Sequence, residues 1–209
     1  PLGLMEVDTN LKPKTCLAEK MDISKDQKTY TFKIRKNAKW SDGVVLKAQD
    51  FVEGWKRLLT PATAAPYAYL LYDMVGAEEF NKKTSTDFSK VGVVAKDDQT
   101  LVVTLKKPVA YFPYLTGFWP LFPIRKDVVE ANGTAWTKPG KMVTVGPYVL
   151  EAFQNQTKIV MKANPNYWRK NGGITEATAM IIKDSATALN VFKSGGIQMM
   201  QDFSPDDLK

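Results

Sequence analysis

Residues 30–59 read YTFKIRKNAKWSDGVVLKAQDFVEGWKRLL, and this stretch decides the fold. From 30 to 35 apolar and polar residues alternate, which is the period of a half-buried β-strand. The Ser-Asp-Gly cluster at 41–43 is typical of a turn. From 48 to 59 the apolar residues have the spacing of one helix face, and Pro61 ends the pattern. The stretch therefore predicts a strand, a turn and a helix in direct succession.

The pattern at 48–59 also predicts which tryptophans are buried and how the helix is capped. Trp55 lies on the apolar face, so we expect it to be buried, and we expect Trp40 beside the turn to pack inward as well. The residue at the start of the helix is Lys47, whose side chain cannot accept a hydrogen bond from the helix. Half of a capping box is therefore lost, although Asp50 can still supply the other half.

The same stretch carries a family resemblance. It contains Y-T-F-x-I-R-x-N-A-K-W-S-D-G, then A-x-D-F-V, then W-x-R-L-L. These blocks resemble the signature region of the oligopeptide-binding proteins, the extracytoplasmic receptors of peptide-importing ABC transporters. Further similar blocks are GPY at 146–148, NPxYW at 164–168 and DSATALN at 184–190. One segment departs from the family pattern, because 195–198 reads Gly-Gly-Ile-Gln where relatives usually carry acidic residues.

The resemblance implies a mixed α/β fold of the type II periplasmic-binding-protein-like class, present in part and including the extra small domain of peptide receptors. It implies that residues 1–40 belong to the sheet of the first lobe and that 41–144 form the extra small α/β domain. Residues 145–209 would return to the first lobe. Receptors of this family have a second large lobe, so the chain resembles a fragment that lacks it.

Sequence patterns predict further elements along the chain. We expect strands at 91–95, 100–105, 148–152, 158–162 and 178–182. We expect helices at 111–118, 124–132 and 185–193, and two helical stretches broken near Gly76 within 60–83. The segment WPLFP at 119–123 should be extended, because a proline moves the residue before it out of the helical region.

Composition excludes several function classes. There is no histidine, which removes Ser-His-Asp and Cys-His catalysis and ordinary histidine-ligated metals. Neither phosphate-binding glycine motif is present, and the single Cys16 forms no disulfide and suits a small, partly buried position. The net charge of +7 is scattered along the chain, so it predicts a solvated basic surface rather than a nucleic-acid site. We therefore expect no enzyme, no cofactor and no nucleic-acid partner.

Clustered aromatic residues are the candidate ligand-binding residues. At helical spacing Tyr69 and Tyr72 share a face while Tyr67 points elsewhere, and a core position is the ordinary interpretation of such tyrosines. The resemblance implies that a tyrosine of the segment matching "SPYA" lies in the wall of the peptide cleft. Tyr69 is the best match and Tyr67 is the alternative. Trp119 joins the candidates from an aromatic run at 111–122, which is expected to be mainly core, with a ligand platform as the alternative.

The resemblance implies a receptor that binds oligopeptides outside the cytoplasm, either periplasmic or lipid-anchored, and delivers them to an ABC permease. Two lobes would close on an extended peptide, and the present residues would supply one wall. Two alternatives stay open: a truncated or repurposed receptor that acts as a protein-interaction module, or a family member that binds another solute. We expect the 209-residue chain by itself to bind peptides weakly or not at all, and to self-associate through the exposed wall.

Overall fold

The computed structural model describes residues 2–170 and 172–201. Its elements form three antiparallel sheets, with the longest helix packed on the middle one, so the predicted mixed α/β class is confirmed. The strands are β1 (Met5–Val7), β2 (Pro13–Thr15), β3 (Ala18–Ile23), β4 (Thr29–Ile34), β5 (Val93–Asp97), β6 (Thr100–Thr104), β7 (Tyr148–Gln154), β8 (Lys158–Ala163) and β9 (Glu176–Met180). The helices are α1 (Ala48–Leu59), α2 (Ala77–Asn81), α3 (Phe112–Leu115), α4 (Lys126–Asn132) and α5 (Ser185–Lys193).

The middle sheet joins distant parts of the chain in the order β3-β4-β6-β5. In β4 the alternation predicted from the sequence holds, since Tyr30, Phe32 and Ile34 are buried. Phe32 pairs with Leu101 of β6 in an antiparallel register. The sheet therefore contains strands from both sides of residue 40, where we had expected a change of domain.

Helix α1 packs its apolar face against β5 and β6. Phe51, Trp55 and Leu59 follow one another at a spacing of one helical turn and are fully buried, which confirms the predicted position of Trp55. The indole nitrogen of Trp55 donates a hydrogen bond of 2.9 Å to the carbonyl oxygen of Leu121. This bond fixes the segment after α3 against the helix.

The start of α1 has the half-formed cap that the sequence predicted. The backbone N–H of Lys47 donates to the carboxylate of Asp50 at 2.9 Å, whereas the lysine side chain has no acceptor to offer the helix. The same carboxylate oxygen accepts the indole N–H of Trp40 at 3.0 Å. Trp40 is only 3% exposed, so it packs inward as expected.

One continuous hydrophobic core runs from Leu4 to Val145 and includes residues of β1, β3, β4, β5, β6, α1 and α3. Beyond it, β7, β8 and β9 form a separate sheet, and none of the residues of these strands or of α5 is buried. Cys16 is completely buried within the first part, and this burial raises the pKa of its thiol to about 12. A thiol in that state is a packing group rather than a nucleophile.

The NPxYW turn connects the third sheet to the rest. Asn164 is buried and donates to the carbonyl oxygen of Gly146 at 2.8 Å, while Asn166 donates to the carbonyl oxygen of Ser41 at 3.0 Å. The guanidinium groups of Arg35 and Arg169 both contact the Trp168 ring, each 4.3 Å from a ring centroid. The turn is therefore structural, as predicted, although Tyr167 and Trp168 are only half-buried.

Three local predictions need correction. Trp119–Leu121 forms a 3-10 turn rather than extended chain, because the fixed φ of Pro120 suits the first turn of a helix, where its missing N–H costs nothing. Between 60 and 83, α2 does begin after Gly76, whose φ is +68°, but the segment before it holds only the short 3-10 turns Pro61–Thr63 and Ala68–Leu71. The helix predicted over 111–118 is confined to α3.

Candidate functional site

An exposed group of aromatic rings lies where the segment before α2 meets the segment after α3. Tyr67 is at its centre: its ring contacts Trp119 at a centroid distance of 5.0 Å, Phe118 at 6.0 Å and Tyr69 at 6.4 Å. The contacts with Trp119 and Phe118 are edge-to-face, an arrangement that aromatic pairs favour. We call Tyr67, Tyr69, Phe118 and Trp119 the aromatic wall.

The aromatic wall is open to solvent. Tyr69 is 57% exposed, Trp119 is 56% exposed and Phe118 is 38% exposed. Contiguous apolar surface of this kind marks an interaction site more often than a solitary exposed side chain does. The structure thus brings together Tyr67, Tyr69 and Trp119, which the sequence had nominated separately.

Tyr72 belongs to the scaffold rather than to the aromatic wall. Its hydroxyl donates to the side-chain oxygen of Asn81 at 2.6 Å, and the Asn81 amide donates to the carbonyl oxygen of Leu59 at 2.7 Å. This chain of bonds ties α2 to the end of α1. The expectation that Tyr69 and Tyr72 share a face without Tyr67 is therefore wrong. Tyr67 precedes the first residue of its 3-10 turn, so helical spacing does not govern its direction.

The aromatic run at 111–122 divides between core and surface, so the expectation of mainly core is wrong for four of its six rings. Phe112 and Leu121 are buried, whereas the exposed aromatic residues are Tyr111, Tyr114, Phe118 and Trp119. The reason is that α3 is a single turn, and a single turn presents its side chains in several directions. Phe118 was not among the predicted site residues, and its adjacency to Trp119 was the signal that could have identified it.

An apolar cavity lies beside the aromatic wall. Its volume is about 350 Å³, and it is bounded by α1, the start of α4 and the segments at 63–67, 119–125 and 142–143. Tyr67 and Trp119 line it together with Trp40 and Trp136. The wall is thus the outer edge of a recess built almost entirely of apolar side chains.

An ion-pair network fixes one side of this recess. The guanidinium of Arg125 contacts the carboxylates of Asp42 at 2.9 Å and Asp127 at 2.6 Å. The hydrogen bond with Asp127 raises the pKa of Arg125, and the same bond lowers the pKa of Asp127. The network joins the Ser-Asp-Gly turn to the start of α4 at the edge of the cavity. In the part of the chain that the structure describes, no cluster of acidic or cysteine side chains could hold a metal ion.

Solved structures of oligopeptide receptors match this fold. The substrate-binding domain of an oligopeptide ABC transporter from Bacillus anthracis superposes with a TM-score of 0.89 at 37% identity, covering 94% of this chain and 38% of that one. Haemophilus influenzae OppA in complex with RPPGFSPFR gives a TM-score of 0.88 at 38% identity, covering 94% of this chain and 39% of that one. Both comparisons confirm the predicted likeness of fold.

Sequence comparison gives the same result. The chain is 41% identical to the periplasmic oligopeptide-binding protein OppA of Escherichia coli over an alignment 211 positions long, which covers 99% of this chain and 38% of the relative. The chain therefore spans well under half the length of these relatives. They are solute-binding receptors rather than enzymes. None of the helices in the described ranges combines the length and hydrophobicity that crossing a bilayer requires.

The family assignment follows from a match that covers most of the chain. The family described as bacterial extracellular solute-binding proteins, family 5 Middle, matches residues 12–209. This description confirms the predicted location outside the cytoplasm. The chain belongs to family 5 of the bacterial extracellular solute-binding proteins, as its sequence blocks had predicted.

Proposed function

We propose that this chain supplies one wall of the cleft of an oligopeptide receptor, and that the whole receptor delivers peptides to an ABC permease without being an enzyme. The exposed aromatic wall is the observation that carries the proposal. Its rings can contact apolar side chains of a peptide without selecting one sequence. The match to a structure that holds the peptide RPPGFSPFR supports an oligopeptide as the ligand.

The mechanism follows from how extended peptides are held. Backbone hydrogen bonds to an added strand give affinity that is independent of side chains, and adaptable side-chain pockets then tolerate many residues. Each such bond contributes a net of about 0.5–1.5 kcal/mol. Association itself costs on the order of 4–15 kcal/mol, and that cost stays almost unchanged when half of the contacts are removed. One wall alone should therefore bind peptide weakly or not at all.

The chain divides most naturally near residue 145 in this proposal. The continuous core ends at Val145, and the sheet of β7, β8 and β9 has no buried residue of its own. In this proposal the part before residue 145 comprises both the first-lobe sheet and the extra small domain, and the continuous core and the pairing of β4 with β6 support treating them together. The part after it would return to the first lobe.

A chimera tests the peptide role. Residues 2–201 replace the matching segment of Escherichia coli OppA, and calorimetry measures the binding of RPPGFSPFR with and without the double substitution Tyr69→Ala and Trp119→Ala. We expect the double variant to bind at least about ten-fold more weakly, because a few large aromatic side chains often contribute most of the binding free energy of an interface. Tyr114→Ala is the matched control, since this ring is exposed but has no ring contact with the aromatic wall. Equal affinity of all three chimeras would remove the wall from the peptide site.

A second function is favoured by the same exposed rings in the 209-residue chain itself. An uncovered apolar surface tends to find a partner, so we propose that this chain self-associates through the aromatic wall. Sedimentation velocity should show a dimer that Trp119→Ala weakens and Tyr114→Ala leaves unchanged. A strictly monomeric chain that binds peptide with micromolar affinity would contradict both the self-association and the division of the cleft into two walls.

A further inference from the structure

The apolar cavity beside the aromatic wall has the size of a small-ligand site. Its volume is about 350 Å³. A cavity of about 150 Å³ is enough to hold benzene, and ligand pockets in proteins begin at about 300 Å³. The space therefore suits a bicyclic aromatic group or a group of similar bulk.

Two polar groups that line this space, the Trp40 indole and the Arg125 guanidinium, already have partners within the chain, and most of the other lining side chains are apolar. The indole N–H of Trp40 is bonded to Asp50, and the guanidinium of Arg125 is bonded to Asp42 and Asp127. The remaining lining includes the rings of Trp119 and Trp136. A ligand body without polar groups would leave the hydrogen bonds of Trp40 and Arg125 intact.

Arg57 adds a cationic group at the rim of the cavity. It lies on the exposed face of α1 and lines both the apolar cavity and a shallower recess next to it. The acid one helical turn before it is Glu53, but the Glu53 carboxylate accepts the amide of Gln49 at 2.9 Å and contacts Lys126 at 3.7 Å. Among the described residues, the guanidinium of Arg57 has no ion pair of its own.

We propose that this cavity binds a small amphipathic carboxylate, with its aromatic or branched apolar body among the tryptophans and its carboxylate on Arg57. The occupant is one free acid of bicyclic size, not a protein surface. The proposal goes beyond peptide delivery, because every residue that it uses is in this chain and no backbone pairing is needed. The 209-residue chain should therefore bind the acid without any other part of a receptor.

The test uses 2-naphthoate as the probe and 2-naphthamide as its neutral counterpart. NMR of the indole N–H groups reports the site directly, since Trp40, Trp119 and Trp136 line the cavity and Trp55 does not. We expect the signals of the three lining tryptophans to shift on titration and the Trp55 signal to stay in place. Shifts of all these signals alike, or of none, would overturn the proposal.

Variants separate the apolar and the charged part of the site. Arg57→Gln should weaken naphthoate binding about two- to five-fold, the range for an exposed ion pair, and leave naphthamide binding unchanged. Lys56→Gln is the matched control, because it removes the same charge from the neighbouring residue. The ammonium group of Lys56 lies over Phe88, 5.4 Å from the ring centroid. Ala65→Trp, which fills the cavity, should abolish the binding of both probes.

Two results would refute the assignment. Equal effects of Arg57→Gln and Lys56→Gln would remove the specific role of Arg57, and unchanged binding in Ala65→Trp would place the probes elsewhere. The outcome is independent of the peptide experiment, which uses a different protein and a different ligand. Either proposal can therefore fail while the other holds.

Discussion

Replacement of Trp55 by alanine tests how the core is organised around α1. The Trp55 side chain is 0% exposed, and its indole N–H is bonded to the carbonyl oxygen of Leu121. Truncation of a buried aromatic side chain to alanine costs about 3–5 kcal/mol, mainly through lost burial and the cavity left behind. It also leaves the Leu121 carbonyl without its donor, a loss of about 1–3 kcal/mol where water cannot replace the bond. We therefore expect a loss of at least about 4 kcal/mol in the free energy of unfolding.

Two variants calibrate this value. Trp119→Ala makes the same chemical change at a side chain that is 56% exposed, so it should cost no more than about 1.5 kcal/mol, the scale of the lost ring contact with Tyr67. Trp55→Phe keeps most of the buried ring and removes the hydrogen bond, so its cost should lie between those of the two alanine variants.

The assay is urea denaturation followed by far-ultraviolet circular dichroism, since fluorescence would itself change with each tryptophan removed. The free energies are compared at constant m-value, which keeps the unfolded state equivalent among the variants. Equal stability of Trp55→Ala and Trp119→Ala would refute the reasoning, because it would mean that the apolar face of α1 does not support the core.

Three further predictions concern other parts of the chain. Burial raises the pKa of Asp50, so this group stabilises the fold at low pH, and its contribution is lost as the pH rises through the pKa of the folded state. Urea melts between about pH 4 and pH 7 should show that Asp50→Asn removes this pH dependence. Asp50→Ala should cost about 1–3 kcal/mol, because it leaves the Trp40 N–H unpaired. Lys47→Thr should raise the free energy of unfolding by about 0.5–1 kcal/mol through a new helix cap, less the small contribution of the exposed Lys47–Asp98 pair; Lys47→Ala, which loses that pair without gaining a cap, is the control. Hydrogen exchange should be faster in β7, β8 and β9 than in β4 and β6, and equal protection of the two sheets would contradict their difference in burial.

The sequence was most informative where local pattern and tertiary packing agree. The alternation in β4 and the helical spacing of α1 each place a full set of apolar side chains on one face, and both elements were found where they were predicted. Helix α5 was also predicted within its bounds, because Asp184 caps it: its carboxylate accepts the backbone N–H of Thr187 at 2.7 Å.

What the sequence could not give were the partners of these elements. Alternation in β4 does not reveal that its neighbour is β6, which lies far along the chain. The contacts within the candidate site could not be predicted from the sequence either. Tyr67, Tyr69 and Trp119 were nominated from composition and family resemblance, but only tertiary structure could join them through ring contacts and direct Tyr72 towards Asn81.

The exposed apolar side chains of the third sheet are a physical reason to expect that another part of a receptor packs on it. A small sheet requires a hydrophobic face packed against something else, because the entropy lost in ordering it must be offset by burial. In this sheet Phe153 and Met180 are 52% and 51% exposed, and Phe192 of the following helix α5 is 42% exposed. Since the chain spans 38% of the Escherichia coli relative, the remainder of such a receptor can supply this cover. We therefore expect the backbone amides of β7–β9 to exchange hydrogen slowly in the chimera and fast in the 209-residue chain. Equally fast exchange in both proteins would show that these faces stay exposed in the receptor.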